Sequence, residues 1–318
     1  MNGLKIRVEY VILGIIIVSL MAYLVFRNPD RVHYQLPDMK SVPEDEITKI
    51  EIIKPDKAIT MEKVDNQWVI QPGGYPVEPD KIKKIITDIT NLTVTDVISE
   101  SKNYVKYGLD EENRIIAKVY DKKGYRYEFE IGKQAATYHH TYVKLEKDSR
   151  VFHARDSFRS HFNETVDSLR NKLVMKFDQD EIREIQLING EDTLVFTKTM
   201  EKVEIKTDNS GKEEIWLLPD GKKGKKEELK TILRELSPLR CLKFIEDKTG
   251  DDFKNPLYRI ILKGNKNYTL QIFKKLKDDD DSYPAVTSES PYIFSIASLQ
   301  ADRLMKKPED VIETSKQK

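Results

Sequence analysis

One cysteine, two tryptophans and no excess of either charge mark this 318-residue sequence. A single thiol, Cys241, cannot close an internal disulfide, so the fold has to stand on packing alone. It lies in the apolar stretch from Leu239 to Ile245, which points to a buried, inert thiol rather than a nucleophile. Lys plus Arg (54) equals Asp plus Glu (54). That balance excludes a dominant basic field for duplex nucleic acid and an acidic tail-type protein, so no nucleic-acid partner is expected. The sequence has no Gly-x-Ser-x-Gly elbow, no Cys/His signature and no paired glycines of a dinucleotide fold. A non-enzymatic protein is therefore expected, with no catalytic, cofactor-binding or metal-ligating residue to name and no cofactor.

One long hydrophobic run is present. Of the 19 residues from Val8 to Phe26, 16 are apolar, interrupted by Glu9, Gly14 and Ser19, and the run from Tyr10 to Phe26 carries no charge. Seventeen residues is the short end of what spans a bilayer as a helix. Lys5 and Arg7 precede the run and Arg27 and Arg31 follow it, a near balance that leans toward a cytoplasmic N-terminus. A cleaved signal peptide would end in a small-residue site, whereas this run ends Tyr23-Leu24-Val25-Phe26-Arg27. The expected organisation is a cytoplasmic stretch 1–7, a single transmembrane helix 8–27 and a proline-punctuated tether 28–44. The body then lies on the extracytoplasmic side, and the Lys- and Ile-rich composition points to a bacterial inner membrane.

The body reads as two copies. Alternating apolar positions at Asp45-Glu46-Ile47-Thr48-Lys49-Ile50-Glu51-Ile52 return at Asp180-Glu181-Ile182-Arg183-Glu184-Ile185-Gln186-Leu187, a strand pattern. Trp68-Val69-Ile70-Gln71-Pro72 is echoed by Trp216-Leu217-Leu218-Pro219. A helical stripe follows each: Ile82, Ile85, Ile86, Ile89 and Leu92, with Asp80 as cap, and then Leu229, Ile232, Leu233, Leu236 and Leu239. Paired strands come next, through Tyr125, Tyr127, Phe129 and Ile131 and through Tyr268, Leu270 and Ile272. Val151-Phe152 corresponds to Ile293-Phe294. The predicted fold is α+β: two tandem duplicated domains, 45–175 and 176–318, each a mainly antiparallel sheet packed with one or two helices. Phe158, Phe162, Val166, Leu169 and Leu173 predict one helix across Asp156 to Leu173, belonging to the first sheet or bridging the copies.

Several clusters carry a functional and a structural reading side by side. Trp68 and Trp216 read as an aromatic ligand platform or, with more reason given the duplication, as core anchors. His139, His140, His153 and His161 lack the Cys or His-Glu-x-x-His partners of a metal set, and neighbours along a strand face opposite sides. Lys222-Lys223-Gly224-Lys225-Lys226 precedes the second helix and could hold an anion, but Pro219 and Glu227 break a P-loop pattern and a solvated loop is the simpler reading. Asp278 to Asp281 lacks calcium-loop spacing and reads as a hairpin tip.

The ordered set of Trp68-Val69-Ile70-Gln71-Pro72, the Asp80-led helix, Tyr107-Gly108-Leu109, Leu169-Arg170-Asn171-Lys172-Leu173 and Phe177-Asp178 resembles the bacterial family known as domain of unknown function 4340. In the second copy Asn255-Pro256-Leu257 stands where Tyr-Gly-Leu would be. The resemblance implies a membrane anchor, a repeated extracytoplasmic α+β region and the company of ABC-type transport proteins related to a gliding-motility set. It implies no catalytic residue. The expected role is a single-pass accessory or scaffold protein of such an envelope complex, contacting its permease and ATPase. Two other classes stay open: an envelope hydrolase acting on glycan or lipid in the cleft between repeats, and a passive cell-wall-binding tether.

Overall fold

The computed structural model describes residues 8–26, 35–37, 42–204, 210–246 and 248–314. The expected cytoplasmic stretch 1–7, residue 27 of the expected span, and 28–34 and 38–41 of the expected tether lie outside the described residues. Two compact units divide the chain: unit one is Met1–Ala58 with Ile85–Asn163, and unit two is Ile59–Lys84 with Glu164–Lys318.

The first helix, α1, runs Val8–Phe26. Every side chain described in it, from Tyr10 to Leu24, is exposed. Among the described residues no helix is long and apolar enough to cross a membrane, so the described structure lends the expected span no support.

The first set of strands is β1 (Ile47–Ile53), β2 (Ala58–Val64), β3 (Gln67–Gln71), β4 (Tyr75–Pro76) and, after helix α2 (Pro79–Thr90), β5 (Val94–Ser99). It continues with β6 (Ile115–Asp121), β7 (Gly124–Gln134), β8 (His140–Leu145) and β9 (Val151–Arg155). Two one-turn helices, α3 (Arg159–Phe162) and α4 (Val166–Leu169), lead to β10 (Leu173–Met175). The second set is β11 (Glu184–Asn189), β12 (Asp192–Glu204), β13 (Ser210–Leu217), helix α5 (Lys226–Leu236), β14 (Leu239–Arg240) and β15 (Lys243–Phe244). Then come β16 (Tyr258–Lys263), β17 (Asn267–Ile272), β18 (Ser282–Thr287), β19 (Ser290–Ala297), α6 (Ser298–Leu304) and α7 (Pro308–Val311). The fold is α+β and sheet-rich, with antiparallel pairing throughout the described strands.

Within unit one the strands run β1-β6-β7-β8-β9-β5; within unit two they run β11-β16-β17-β18-β19-β15. The two orders are the same, each strand ten places later in the second. A hairpin follows the first strand of each set in sequence, β2 with β3 and β12 with β13. Just ahead of each first strand, Glu44–Glu46 and Gln179–Glu181 form a single 3-10 turn that delivers a fully buried isoleucine, Ile47 or Ile182. The alternation seen in the sequence thus starts with a turn and only then becomes a strand.

Period-two burial builds the cores. In β16, Tyr258, Ile260 and Leu262 point inward and Arg259, Ile261 and Lys263 do not, as successive residues of a pleated strand must. Helix α5 adds Leu229, Ile232, Leu233 and Leu236 to the unit-two core, the i, i+3, i+4, i+7 stripe of an amphipathic helix. In α2, Asp80 lies inside the first turn rather than ahead of it, where its carboxylate still meets the positive end of the helix.

The Tyr107-Gly108-Leu109 motif has a packing explanation. Gly108 sits at φ +63°, the left-handed region that ends a 3-10 turn at Val105–Tyr107, while Tyr107 and Leu109 are buried. The carbonyl of Tyr107 lies so close to Gly132 on β7 that a Cβ built there would come within 2.3 Å of it. The turn therefore presses its backbone against a strand that has no side chain at that point.

The single helix predicted across Asp156 to Leu173 is instead α3, a break, α4 and the start of β10. The apolar spacing is real, since Phe158, Phe162 and Leu169 are all buried. The break falls at Asn163-Glu164-Thr165, where the Thr165 hydroxyl accepts from the Ser168 N–H and restarts the chain as α4. Asn and Thr compete with a helix interior in this way, which a spacing argument does not count.

Candidate functional site

Arg170 is the last residue one would bury on charge alone, yet only 3% of it is exposed. Its place is set by backbone bonds on both sides. The Glu78 N–H donates to the Leu169 carbonyl at 2.8 Å, and the Asn171 N–H to the Pro76 carbonyl at 2.8 Å, so Arg170 bridges to Val77 in an antiparallel step. Two residues on, the Cys241 N–H donates to the Lys172 carbonyl at 2.9 Å, and β10 pairs with β14. The stretch from Leu169 to Leu173 is thus held between residues 76–78 and residues 239–241, all in unit two.

The guanidinium carbon of Arg170 lies 3.7 Å from the ring centroid of Tyr75 and 3.7 Å from that of Phe244. Two rings in contact with one planar carbon take opposite faces, because on one face they would overlap. Tyr292 stands 5.1 Å from the same carbon and meets both rings edge-on, at 5.6 Å each. With both faces covered, the in-plane N–H edge is what remains for hydrogen bonding. There Nη1 donates to Oε1 of Glu246, whose own side chain is 63% exposed. A cavity of about 380 Å³ opens at this point, lined by the three rings, Arg170, Glu246 and Lys248, with Val286, Pro291 and Ile293 as an apolar wall.

The same joint recurs later in the chain. The Lys225 N–H donates to the Val311 carbonyl at 2.7 Å and the Glu313 N–H to the Lys223 carbonyl at 2.9 Å, with Gly224 bridged to Ile312. The tryptophans mark it too: the Trp68 carbonyl accepts from the Val77 N–H and the Trp216 carbonyl from the Gly224 N–H, both at 2.8 Å. At the second joint Ile312 occupies the position of Arg170. The guanidinium and its clamp belong to the first joint alone.

A family comparison gives the chain its place. Residues 68–257, 190 of the 318, match the family described as Domain of unknown function (DUF4340). The chain belongs to the DUF4340 family. No curated protein and no solved structure matches it. The matched stretch of this DUF4340 chain contains Tyr75, Arg170, Phe244, Glu246 and Lys248, while Tyr292 lies beyond it.

The residues weighed in the sequence fall elsewhere. Trp216 is fully buried in the unit-two core, whereas Trp68 is only half-buried. Each lysine of the 222–226 loop already has a partner: Lys222 with Asp220 at 2.8 Å, Lys223 with Glu201 at 2.5 Å, Lys226 with Glu213 at 2.8 Å, and Lys225 with the Glu309 carbonyl at 2.8 Å. Three of the four ammonium groups thus face a carboxylate elsewhere in the chain and the fourth a backbone carbonyl. Asp278 to Asp281 lie in the connection between β17 and β18, with Asp280 turned back on the Lys277 N–H. Burial pushes the Cys241 thiol up to about 11, which keeps it protonated and unreactive.

Of the histidines, His161 pairs with Asp88 at 2.6 Å, and His139 is exposed. His140 and His153 stack at 5.0 Å, neighbours on adjacent strands rather than a converging set. Among the described residues no group of three or more His, Cys, Asp or Glu side chains is placed to hold a metal ion. Burial, and then the neighbouring His140, lower the pKa of His153, whose Nε2 is buried without a hydrogen-bond partner. Asp96 opposes the shift more weakly. The folded chain therefore takes up a proton at His153 later than the unfolded chain, which does so near 6.5. Stability from this group is full above pH 6.5 and is lost as pH falls toward the lowered value. Unfolding midpoints measured from pH 7.5 downward are expected to fall below pH 6.5, and His153→Gln is expected to flatten that slope.

Proposed function

We propose that this DUF4340 chain is a membrane-anchored, extracytoplasmic accessory protein of an ABC-type transport complex, working by binding and not by catalysis. The observation that carries the binding role is the Arg170 cavity. Its deeply buried charged group is a guanidinium, a planar fork of N–H donors with no acceptor, which suits it to holding a ligand. Clamped between two rings, it offers a fixed set of in-plane donors, the property of a recognition residue.

The anchor rests on the uncharged run from Tyr10 to Phe26 and on the exposure of the α1 side chains described, since so large an apolar surface calls for lipid or protein to cover it. Anchoring to a bacterial inner membrane with a periplasmic body follows from that reading. The body is a tandem duplication of two α+β domains, a reading supported by the matching strand orders and by the twice-repeated joint. The permease and ATPase partners come from the resemblance stated above.

The test is to purify the full chain from native membranes in mild detergent and identify what accompanies it. A control chain lacking residues 1–26 is exported by a cleavable signal. A permease and an ATPase are expected at near-stoichiometric yield with the full chain, and their loss from the control would assign the contact to the helix. Recovery of the chain alone, under conditions that keep other membrane complexes together, would overturn the transporter reading.

A further inference from the structure

We infer that the Arg170 cavity binds the carboxylate of an amphiphilic ligand, with Glu246 as an internal stand-in that the ligand displaces. The inference rests on reading the cavity as a recognition site, and it adds the chemistry of what is recognised. Three features of the cavity converge on a carboxylate.

The first is geometry. Tyr75 and Phe244 cover both faces of the guanidinium, so a ligand can reach it only along the edge. A carboxylate matches that edge with two parallel N–H to O bonds. The group found there is itself a carboxylate, Glu246, on a side chain 63% exposed to solvent. An ion pair whose acidic half stands mostly in water is held weakly and is open to exchange.

The second is charge. The cavity lining carries two cations, Arg170 and Lys248, against one carboxylate, Glu246. Within the lining one positive charge is left over even while Glu246 is in place, and Lys248 also acts on Asp252 just outside it. When an incoming carboxylate takes the edge, Glu246 can swing into solvent without leaving a buried charge behind, and the ligand meets two cations.

The third is the wall. Val286, Pro291 and Ile293, with the ring of Tyr292, surround the edge with apolar surface. A volume of about 380 Å³ is small among ligand sites. It suits a carboxylate attached to one apolar group: a small free acid, or the last residue of a peptide with its terminal carboxylate.

Calorimetric titration of the full chain in neutral detergent tests this. The probes are N-acetyl-L-phenylalanine and its amide, and the peptide Ac-Gly-Ser-Ala-Ala-Phe with a free or an amidated end. Each acid should bind at least about tenfold more tightly than its amide. If the free amino-acid derivative binds as well as the peptide, the ligand is a small acid; if only the peptide acid binds, it is a chain terminus. Glu246→Ala is the deciding variant, because its exposed position spares the fold. Removing a competitor that occupies the edge nine-tenths of the time should tighten acid binding about tenfold and leave the amides unchanged. Equal binding of acid and amide, no saturable binding of any probe, or an unchanged acid affinity in Glu246→Ala would each overturn the inference. None of these outcomes bears on the co-purification experiment, which reads the membrane partners.

Discussion

Trp216→Ala should destabilise unit two by about 4 kcal/mol, while Trp68→Ala should cost about 1–2 kcal/mol. The sequence presents the two tryptophans as equivalents, each closing a strand before a proline. Their backbones are indeed equivalent, with each carbonyl accepting from the N–H of the residue two before the next helix. Their side chains are not. Trp216 is 1% exposed, packed in the core that includes Phe196, Leu229 and Ile232, with the Lys198 ammonium 5.3 Å above its ring. Trp68 is only half-buried, opposite Lys63 on the neighbouring strand. Truncating Trp216 opens a large hole in a core built of strand and helix side chains that cannot all collapse into it. Trp216→Phe separates shape from chemistry. The indole Nε1 is buried with no hydrogen-bond partner, so the phenyl ring gives up some contact but also removes an orphan donor costing about 1–3 kcal/mol. Trp216→Phe is accordingly expected within about 1 kcal/mol of the parent. Urea unfolding followed by far-ultraviolet circular dichroism would measure all three variants, and equal losses for the two alanine variants would refute the distinction.

What was legible in the sequence follows from which forces leave a periodic trace. Strand alternation at Leu270 and Ile272 in β17 and the stripe in α5 are imposed by burial against one face, and both are where the pattern puts them. The pattern from Phe158 to Leu169 is also a burial pattern, but capping by Thr165 cut it into two turns, and a local hydrogen bond leaves no periodicity to read. Arg159 adds to this, its guanidinium reaching the carbonyls of Ile131 at 2.6 Å and Gly132 at 2.9 Å. The Arg170 cavity was visible only in part. Arg170 stood in a motif that carried the family resemblance, yet a lone arginine says nothing about burial. Its clamp is drawn from residues 75, 244 and 292, brought together by strand pairing and by single backbone bridges, and no spacing in the chain connects them. Aromatic residues close in space to a cation, but far apart in sequence, are a tertiary signal. The correspondence of Arg170 with Ile312 is likewise a product of the backbone bridges and leaves no mark in the sequence.

Arg170→Ala should cost about 3 kcal/mol, and the loss should be local to the elements it joins. Each desolvated cation–ring contact contributes about 1–2 kcal/mol, and the side chain leaves a void between rings that are already fixed by their strands. No buried charge is stranded by the change, because Glu246 stands mostly in water, and that keeps the loss at the low end of the range for a broken buried ion pair. Arg170→Lys is expected to recover less than half of the difference: an ammonium keeps the charge but has no plane to lie between Tyr75 and Phe244. Glu246→Ala, by contrast, should cost no more than about 1.4 kcal/mol, the worth of a contact closed nine-tenths of the time, since it removes only the exposed half of the pair. A chain of two compact units does not promise a single unfolding step, so the informative measurement is native-state hydrogen exchange resolved by peptide. In Arg170→Ala the amides of β10, β14, β15 and the 76–78 segment should lose protection together, because Arg170 stacks on Tyr75 beside that segment and on Phe244 in β15, and its own stretch leads into β10, which pairs with β14. The strands β6, β7 and β8 of unit one should keep theirs. A uniform loss across both units would mean that Arg170 supports global stability and does not clamp this joint. Unchanged protection would mean that the rings hold their places without the cation, and the cavity would then owe nothing of its shape to Arg170.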